Sequence, residues 1–380
     1  MEIEKIKGEI DDIDANLVEL FKRRMRACGE LAEAKSEAGL PAVDAAGMRA
    51  KFTEVRKRAG DELAGYASVL YSTVLELGGC YQRGLVDGKN PLCGEIGRAL
   101  ESTPKQFPES GLIACQGVEG AYSQMAAEKL FAHPDIMYFN NFEGVFSAID
   151  KGFCSYGVLP LENSTAGSVN AIYDLMMKYN FSIVRSVRLK VDHNLLVRRG
   201  TKPGDIKEIF SHEQAIGQCG EFLKSMGNVR VNICENTAAA SKMVAESGRS
   251  DVAAISSRAC AELYGLENIA SSIQDKGNNY TRFICITKNL EIYPGADRTS
   301  VMLTVPHKPG SLYRIMARIN ALSINLSKLE SRPIPERDFE FMFYFDLDTS
   351  VYSPQFIELM GQLGEMCETF QYLGSYSEII

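Results

Sequence analysis

The chain predicts a multidomain protein in three parts: an all-α helical unit, a two-lobed α/β unit and a smaller α+β unit. Three observations lead there. Ile3, Ile6, Ile10, Ile13, Leu17 and Leu20 recur at steps of three and four, the seam of one long helix. From residue 112, short apolar runs alternate with helix-period segments, the pattern of a mostly parallel sheet with crossover helices. From residue 299 the order becomes strand, helix, strand, strand, helix, strand, which argues a ferredoxin-like sandwich. A length of 380 residues accommodates roughly two or three such domains.

Composition narrows the function classes. The net charge of −8 provides no global basic field for nucleic acid or an anionic membrane surface. No apolar run approaches the ~18 residues that a membrane span needs, and Met1-Glu2-Ile3-Glu4-Lys5 lacks the apolar core of an export signal. The expectation is a soluble cytoplasmic protein. The ten cysteines show no metal-ligand or redox spacing, and His133, His193, His212 and His307 are dispersed. No metal or cofactor is expected.

Following the helical seam further leads to Arg24, Cys28, Leu31 and Lys35. Arg24 and Lys35 share a face about 16 Å apart. Two cations on an apolar seam are expensive to bury unpaired, so they hold a dianionic ligand, snorkel, or pair with Glu30 or Glu33. Gly39-Leu40-Pro41 ends this helix; further helices are predicted over 44–59 and 61–85. So small a helical unit needs a partner chain to bury its seam, implying a homodimer or higher homo-oligomer. Residues 89–111, with Pro91, Pro104 and Pro108, read as a linker.

Domain boundaries are placed at 1–88, 112–290 and 299–380. In the central unit, Gly157 to Val169 runs from an apolar strand through Pro160 into Glu162, Asn163, Ser164 and Thr165, then a helix. A strand end opening a helix gathers hydroxyls, an amide and unpaired N–H groups, which suits a small anion or an ordinary cap. Three similar clusters fall at other element ends: Glu119 to Gln124, Ser211-His212-Glu213-Gln214 with Gln218, and Asn279 to Phe283. Four in one unit favour a shared site in an interlobe cleft.

The first 85 residues resemble the small all-helical chorismate mutases. That family binds chorismate's carboxylates with arginines and meets the breaking ether oxygen with a lysine and a glutamine. The matching positions are Arg24, Lys35, Asp44 and Gln82, with Lys7 where the family has an arginine. Gly47-Met48 stand where an Arg-Glu pair is usual; Arg49 can replace the arginine after a local shift, but Ala50 then takes the glutamate's place. A pericyclic rearrangement needs no nucleophile, only a compact conformer and donors aimed at developing charge.

The central clusters, with Asn236-Thr237-Ala238-Ala239-Ala240 and Thr281-Arg282-Phe283 in order, resemble prephenate dehydratase from about residue 112 to 287. That family's fold resembles periplasmic solute-binding domains. The resemblance implies catalytic roles for Thr281, Asn163, Ser211 and Gln218, with Ser164, Thr165, Arg282 and Glu119 binding prephenate. Thr281 would donate to the leaving hydroxyl, with Glu119, Glu162 or His212 as candidate partners in a relay.

The last unit resembles the amino-acid-binding ACT domain. In that family the corresponding elements bind phenylalanine across a dimer interface. Here they are Pro309-Gly310-Ser311-Leu312, with Ser311 where alanine is usual, and Glu330-Ser331-Arg332-Pro333. Together the resemblances imply phenylalanine biosynthesis: chorismate to prephenate, then prephenate to phenylpyruvate, with feedback by L-phenylalanine. The alternatives are a dehydratase with a vestigial mutase domain and a non-enzymatic solute-binding sensor. Arogenate stands as an alternative substrate.

Overall fold

The structure, a computed structural model, describes residues 2–41, 44–86, 91–334 and 340–380. The helical start comprises α1 (Glu2–Glu37), α2 (Ala45–Val86) and α3 (Pro91–Ser102). A first lobe follows with β1 (Ser110–Gln116), α4 (Tyr122–Leu130), β2 (His133–Phe139), α5 (Phe142–Asp150) and β3 (Tyr156–Asn163). It continues through β4 (Gly167–Ser168), α6 (Asn170–Lys178) and β5 (Ser182–Lys190). The second lobe holds β6 (Asn194–Val197), β7 (Glu208–Ser211), α7 (Glu213–Gln218), α8 (Gly220–Ser225) and β8 (Arg230–Ile233). Then come α9 (Thr237–Glu246), β9 (Val252–Ser256), α10 (Arg258–Leu263) and β10 (Glu267–Ala270). β11 (Tyr280–Thr287) returns to the first lobe. Last are β12 (Arg298–Thr304), α11 (Ser311–Ala321), β13 (Asn325–Pro333), β14 (Phe341–Asp348), α12 (Pro354–Met366) and β15 (Thr369–Ile379).

The chain forms two compact units, the first made of Met1–Gly97, Val305–Ser323 and Pro354–Thr369. Within it α1 packs along α2, while Ile3, Ile6, Ile10, Ile13, Leu17 and Leu20 remain at least half exposed. The break expected between residues 59 and 61 is a bend inside one helix, at Gly60 with φ 71°. α11 meets α2 through Arg314 and Glu76, 3.7 Å apart. The stretch read as a linker over 89–111 needs correction. Its residues 89 and 90 lie outside the described ones, but 91–102 form α3, with Pro91 in the first turn, where a missing N–H costs nothing. Among the described residues no helix is long and apolar enough to cross a membrane.

The second unit comprises Arg98–Thr304, Ile324–Ser353 and Phe370–Ile380. Its larger sheet runs β13-β14-β12-β15-β5-β11-β3-β1-β2, with β4 on β3; the second lobe's sheet runs β10-β6-β9-β7-β8. The alternation from residue 112 thus divides between two lobes. The sequence pattern offers no strand at β10 or β11, and its helical period over 213–226 divides at Cys219 into α7 and α8. The apolar run over 339–347, which the sequence reads as the third strand of the last segment, begins within the described residues at Phe341, Phe339 lying outside them. Buried Val145, Ile149, Leu159, Leu161, Ile172 and Ile284 fill one core of the first lobe. Leu196, Val244, Val252 and Ala254 belong to a core of the second.

The strands of the last segment join the first lobe's sheet directly. β15 pairs parallel with β5, Ser377 opposite Arg185, Glu378 opposite Ser186 and Ile379 opposite Val187. Entry into this pairing passes Gly374, whose φ of 133° excludes most side chains and whose missing Cβ leaves room for the Ile183 carbonyl. Gly374→Ala combines that strain with a backbone clash and is expected to cost at least about 2 kcal/mol. A urea midpoint unchanged from the parent would show that the junction has slack.

Candidate active site

A cavity of about 510 Å3 opens between the lobes of the second unit, a size suited to a small organic ligand. Strands β1, β2, β3, β7 and β8 all point their C-terminal ends at it, through Gln116, Asn140, Asn163, His212 and Glu235. Ligands of open α/β sheets collect at such ends. Four helices begin there: α4 at Ala121–Ser123, α5 at Asn141, α7 at His212 and α9 at Asn236. Among the described lining residues there is no lysine or arginine. An anion here is met by amides, hydroxyls and helix ends.

The floor is a hydrogen-bonded set whose directions follow from two backbone anchors. The N–H groups of Thr165 and Ala166 donate to Asn163 Oδ1 at 3.0 and 2.9 Å, so the Asn163 amide nitrogen faces the other way. That nitrogen donates to Thr281 Oγ1 at 2.9 Å and to Asn279 Oδ1 at 2.7 Å. Asn279 Nδ2 then donates to Gln218 Oε1 at 2.8 Å, and Gln218 Nε2 to Thr165 Oγ1 at 2.7 Å. Because Gln218 Oε1 is an acceptor, His193 must donate to it from Nε2, at 2.8 Å. Thr281 already accepts from Asn163, so its own proton is free for a ligand.

Strand geometry produces this arrangement. Thr281 and Asn163 face each other in the antiparallel β11–β3 ladder, and Arg282 faces Glu162. The ladder slips by one residue just beyond, between Arg282 and Phe283, at Leu161 and next to Pro160. Pro160 cannot donate to a ladder, and a bulge is where a strand tolerates it.

Several sequence-predicted residues sit elsewhere. Successive strand residues point to opposite faces, so Arg282 cannot share the cleft with Thr281 and Phe283. It is 4% exposed and bound to Asp346 and Tyr376, with Glu162 and Glu378 at 3.2 and 3.1 Å. Ser211 is fully buried and donates to the Ile255 carbonyl at 2.7 Å, fastening β7 to β9 instead of facing a ligand. Glu119 is exposed outside the cavity lining, its carbonyl accepting from Tyr264. Ser164 ties a loop, donating to the Asn278 carbonyl and accepting from Tyr280 N–H. Thr165 lines a smaller adjoining hollow, with Gln218 between the two.

Glu162 lies outside the cleft lining, paired with Arg282 and Lys328. Burial pushes its pKa up, but Lys328 at 2.5 Å and Arg282 outweigh this and hold it below the usual carboxylate range. His193 and His212 line the cleft and are held below the ordinary histidine range, chiefly by burial. The sequence reading placed Ser123 and Thr237 in motifs without giving either a role, and did not single out His193. His193 carries no signal beyond a polar residue at a strand's start. Ser123 stands two residues past the N-cap of α4, a position legible from the turn between Gly117 and Gly120.

In the first unit, Asp44 caps α2, its Oδ1 accepting from Ala46 and Gly47 at 3.0 Å each. Those bonds, with Lys35 and Arg49 nearby, lower its pKa. Arg24 donates to the Val74 carbonyl at 3.0 Å, fitting against Gly78 of α2. Gln82 is buried, whereas Lys7 is exposed and pairs with Glu4.

A family model of prephenate dehydratase matches residues 113–291, and one of chorismate mutase type II matches 6–78. Arogenate dehydratase 2 of Petunia hybrida is 34% identical over 313 residues, covering 78% of this chain and 79% of that protein. The bifunctional chorismate mutase/prephenate dehydratase of Stutzerimonas stutzeri is 29% identical, covering 100% of this chain and 98% of its own. The crystal structure of prephenate dehydratase from Arthrobacter aurescens, in complex with L-Phe, aligns with a TM-score of 0.64 at 26% identity. That alignment covers 70% of this chain and 89% of the other.

The two cleft histidines make stability depend on pH. Both have pKa values lowered in the folded chain, so the unfolded chain binds protons first as pH falls below about 6.5. Their contribution is full above that value and is lost on acidification. The urea midpoint should fall between about pH 7.5 and 5.5. The double variant His193→Gln/His212→Gln should flatten that dependence, and an equally steep profile would place the titrating groups elsewhere.

Proposed function

The chain belongs to the prephenate dehydratase family, and from that premise we propose that it catalyses two successive steps of phenylalanine biosynthesis. The helical region rearranges chorismate to prephenate, and the interlobe cleft converts prephenate to phenylpyruvate. Thr281 carries the second assignment: its hydroxyl accepts from Asn163, which directs its proton outward. In the dehydratase step the ring carboxylate leaves as CO2, and the electron pair of that C–C bond enters the ring. The ring becomes aromatic as the C–O bond to the hydroxyl breaks. Thr281 donates a hydrogen bond to the departing oxygen, which leaves as water after taking up one proton from solvent. Aromatisation supplies much of the driving force, so positioning and exclusion of water are the tasks left to the protein.

A described lining without lysine or arginine fits this chemistry. A lysine or arginine on the ring carboxylate would stabilise the ground state that has to be lost. Glu235 at the rim offers a counter-charge to an α-ammonium, which makes arogenate the second substrate to assay. Thr281→Ala should lower phenylpyruvate formation by at least about 100-fold, in a protein that still folds and consumes chorismate at the parent rate. Near-normal dehydration in that variant would remove Thr281 from the mechanism. A parent protein that dehydrates prephenate but spares chorismate would reduce the helical region to a scaffold.

In the first unit, the apolar seam of α1 is covered by a second copy of the chain. The last segment, βαββαβ in order, is read as an ACT domain, and L-phenylalanine is its effector. Gly310, Ser311 and Leu312 open α11, while Glu330, Ser331, Arg332 and Pro333 lie on β13. One face of β13 already engages the dehydratase lobe. Lys328 reaches Glu162 at 2.5 Å, Glu330 accepts from Ser168 at 2.5 Å, and Arg332 pairs with Asp174 at 3.0 Å. A ligand that recruits Glu330 or Arg332 therefore competes with contacts beside Asn163, which couples the two sites. Equilibrium dialysis should detect phenylalanine binding below about millimolar concentration, and a blank result at that level would remove the effector role.

A further inference from the structure

Prephenate carries two carboxylates, one of which stays on the product, and the described lining residues of the cleft include no lysine or arginine for either. We propose that the N-terminus of α4, with the hydroxyl of Ser123, is the subsite for the retained side-chain carboxylate; this rests on the dehydratase reading above. The helix start is unlike its neighbours around the cleft. Asn141 caps α5 by accepting from Gly144 N–H, Asn236 caps α9 by accepting from Ala239 N–H, and His212 caps α7. The N-cap of α4 is Ala121, which has no side chain to do this. The N–H groups of Tyr122 and Ser123 have no acceptor among the described residues.

Ser123 supplies the second observation. It is 5% exposed, lines the cleft, and its hydroxyl takes no hydrogen bond from any described residue. The hydroxyl opens onto the cleft beside two unpaired helix N–H groups, three donors with no protein acceptor among the described residues. One carboxylate oxygen on the N–H pair and the other on Ser123 Oγ satisfies all three donors and takes advantage of the helix dipole. The turn is rigid enough to preorganise them. Gly117 and Gly120 have φ of 111° and 88°, Gly120 N–H is held by Gln124 at 2.7 Å, and Tyr122 donates to the Asp192 carbonyl at 3.1 Å. α6 also begins without a side-chain cap, at Val169, but Ser168 beside it is engaged by Lys328 and Glu330.

The assignment to the retained carboxylate follows from the reaction. A strong fixed hold on the carboxylate that leaves as CO2 raises the barrier, whereas the same hold on the spectator carboxylate anchors substrate through the whole step. Phenylpyruvate keeps that group, so the subsite also binds product.

The test uses the full-length protein and phenylpyruvate as the calorimetric probe. Ser123→Ala should weaken phenylpyruvate binding roughly 10-fold or more, and raise KM for prephenate by a similar factor with kcat within about 3-fold. Ser123→Thr, keeping the hydroxyl, should recover much of the loss. Ser123→Asp should abolish phenylpyruvate binding while melting at or above the parent temperature, because an anion in the first turn stabilises the helix but repels a carboxylate. Raised KM with unchanged phenylpyruvate affinity would overturn the assignment in favour of the departing carboxylate. Unchanged values for both would remove substrate from this helix end. A parent protein that neither binds phenylpyruvate nor turns over prephenate would overturn the dehydratase reading itself, before any variant is made.

Discussion

Thr281 and Arg282 are neighbours on one strand, and strand geometry sends them to opposite faces of the sheet. Asn163 and Glu162 stand opposite them and divide in the same way. Two dipeptides therefore build both an uncharged cleft floor and a charged cluster behind it. The cluster must be complete, because a buried guanidinium without its carboxylates costs several kcal/mol. Its partners are distant in sequence: Asp346 on β14, Tyr376 and Glu378 on β15, and Lys328 opposite Glu162. The position of the Thr281 hydroxyl is thus tied to strands that never touch the cleft.

This separation of charge gives the cleft its character. Lysine and arginine are kept to the far face of β3 and β11, while the ligand meets amides, hydroxyls and helix ends. Such donors orient a dianion without neutralising it. They also hold one another: Asn163, Asn279, Gln218, His193 and Thr165 form an uninterrupted hydrogen-bonded set reaching Thr281. A network of this kind is rigid when fully satisfied and costly when one member is lost.

Much of the fold was legible because it rests on local periodicity. The seam of α1, the bend at Gly60 and the strand–helix alternation all appear as spacing in the chain. α3 was missed because Pro91 was taken as a breaker, although the first turn is where a helix accepts proline. At the site, Asn163, Gln218 and Thr281 were found and lie together in the cleft. Arg282 was misplaced because Thr281-Arg282-Phe283 was taken as a polar cluster instead of strand residues with period-two facing. Ser211 was misplaced for another reason: its carbonyl partner lies on β9, 44 residues further along, and no local pattern reports that.

The pairing of β15 with β5 bears on how the chain acquires its structure. Ser186 and Glu378 bond across a separation of 192 residues, so β5 waits for its neighbour until most of the chain has been synthesised. Contacts of such range are entropically slow to close, and an unpaired central strand is meanwhile a template for other chains. The first lobe's sheet is therefore finished only after every segment between β5 and β15 has been made. A nascent chain stalled before β15 would present β5 as an open edge, a natural point for chaperone capture or aggregation.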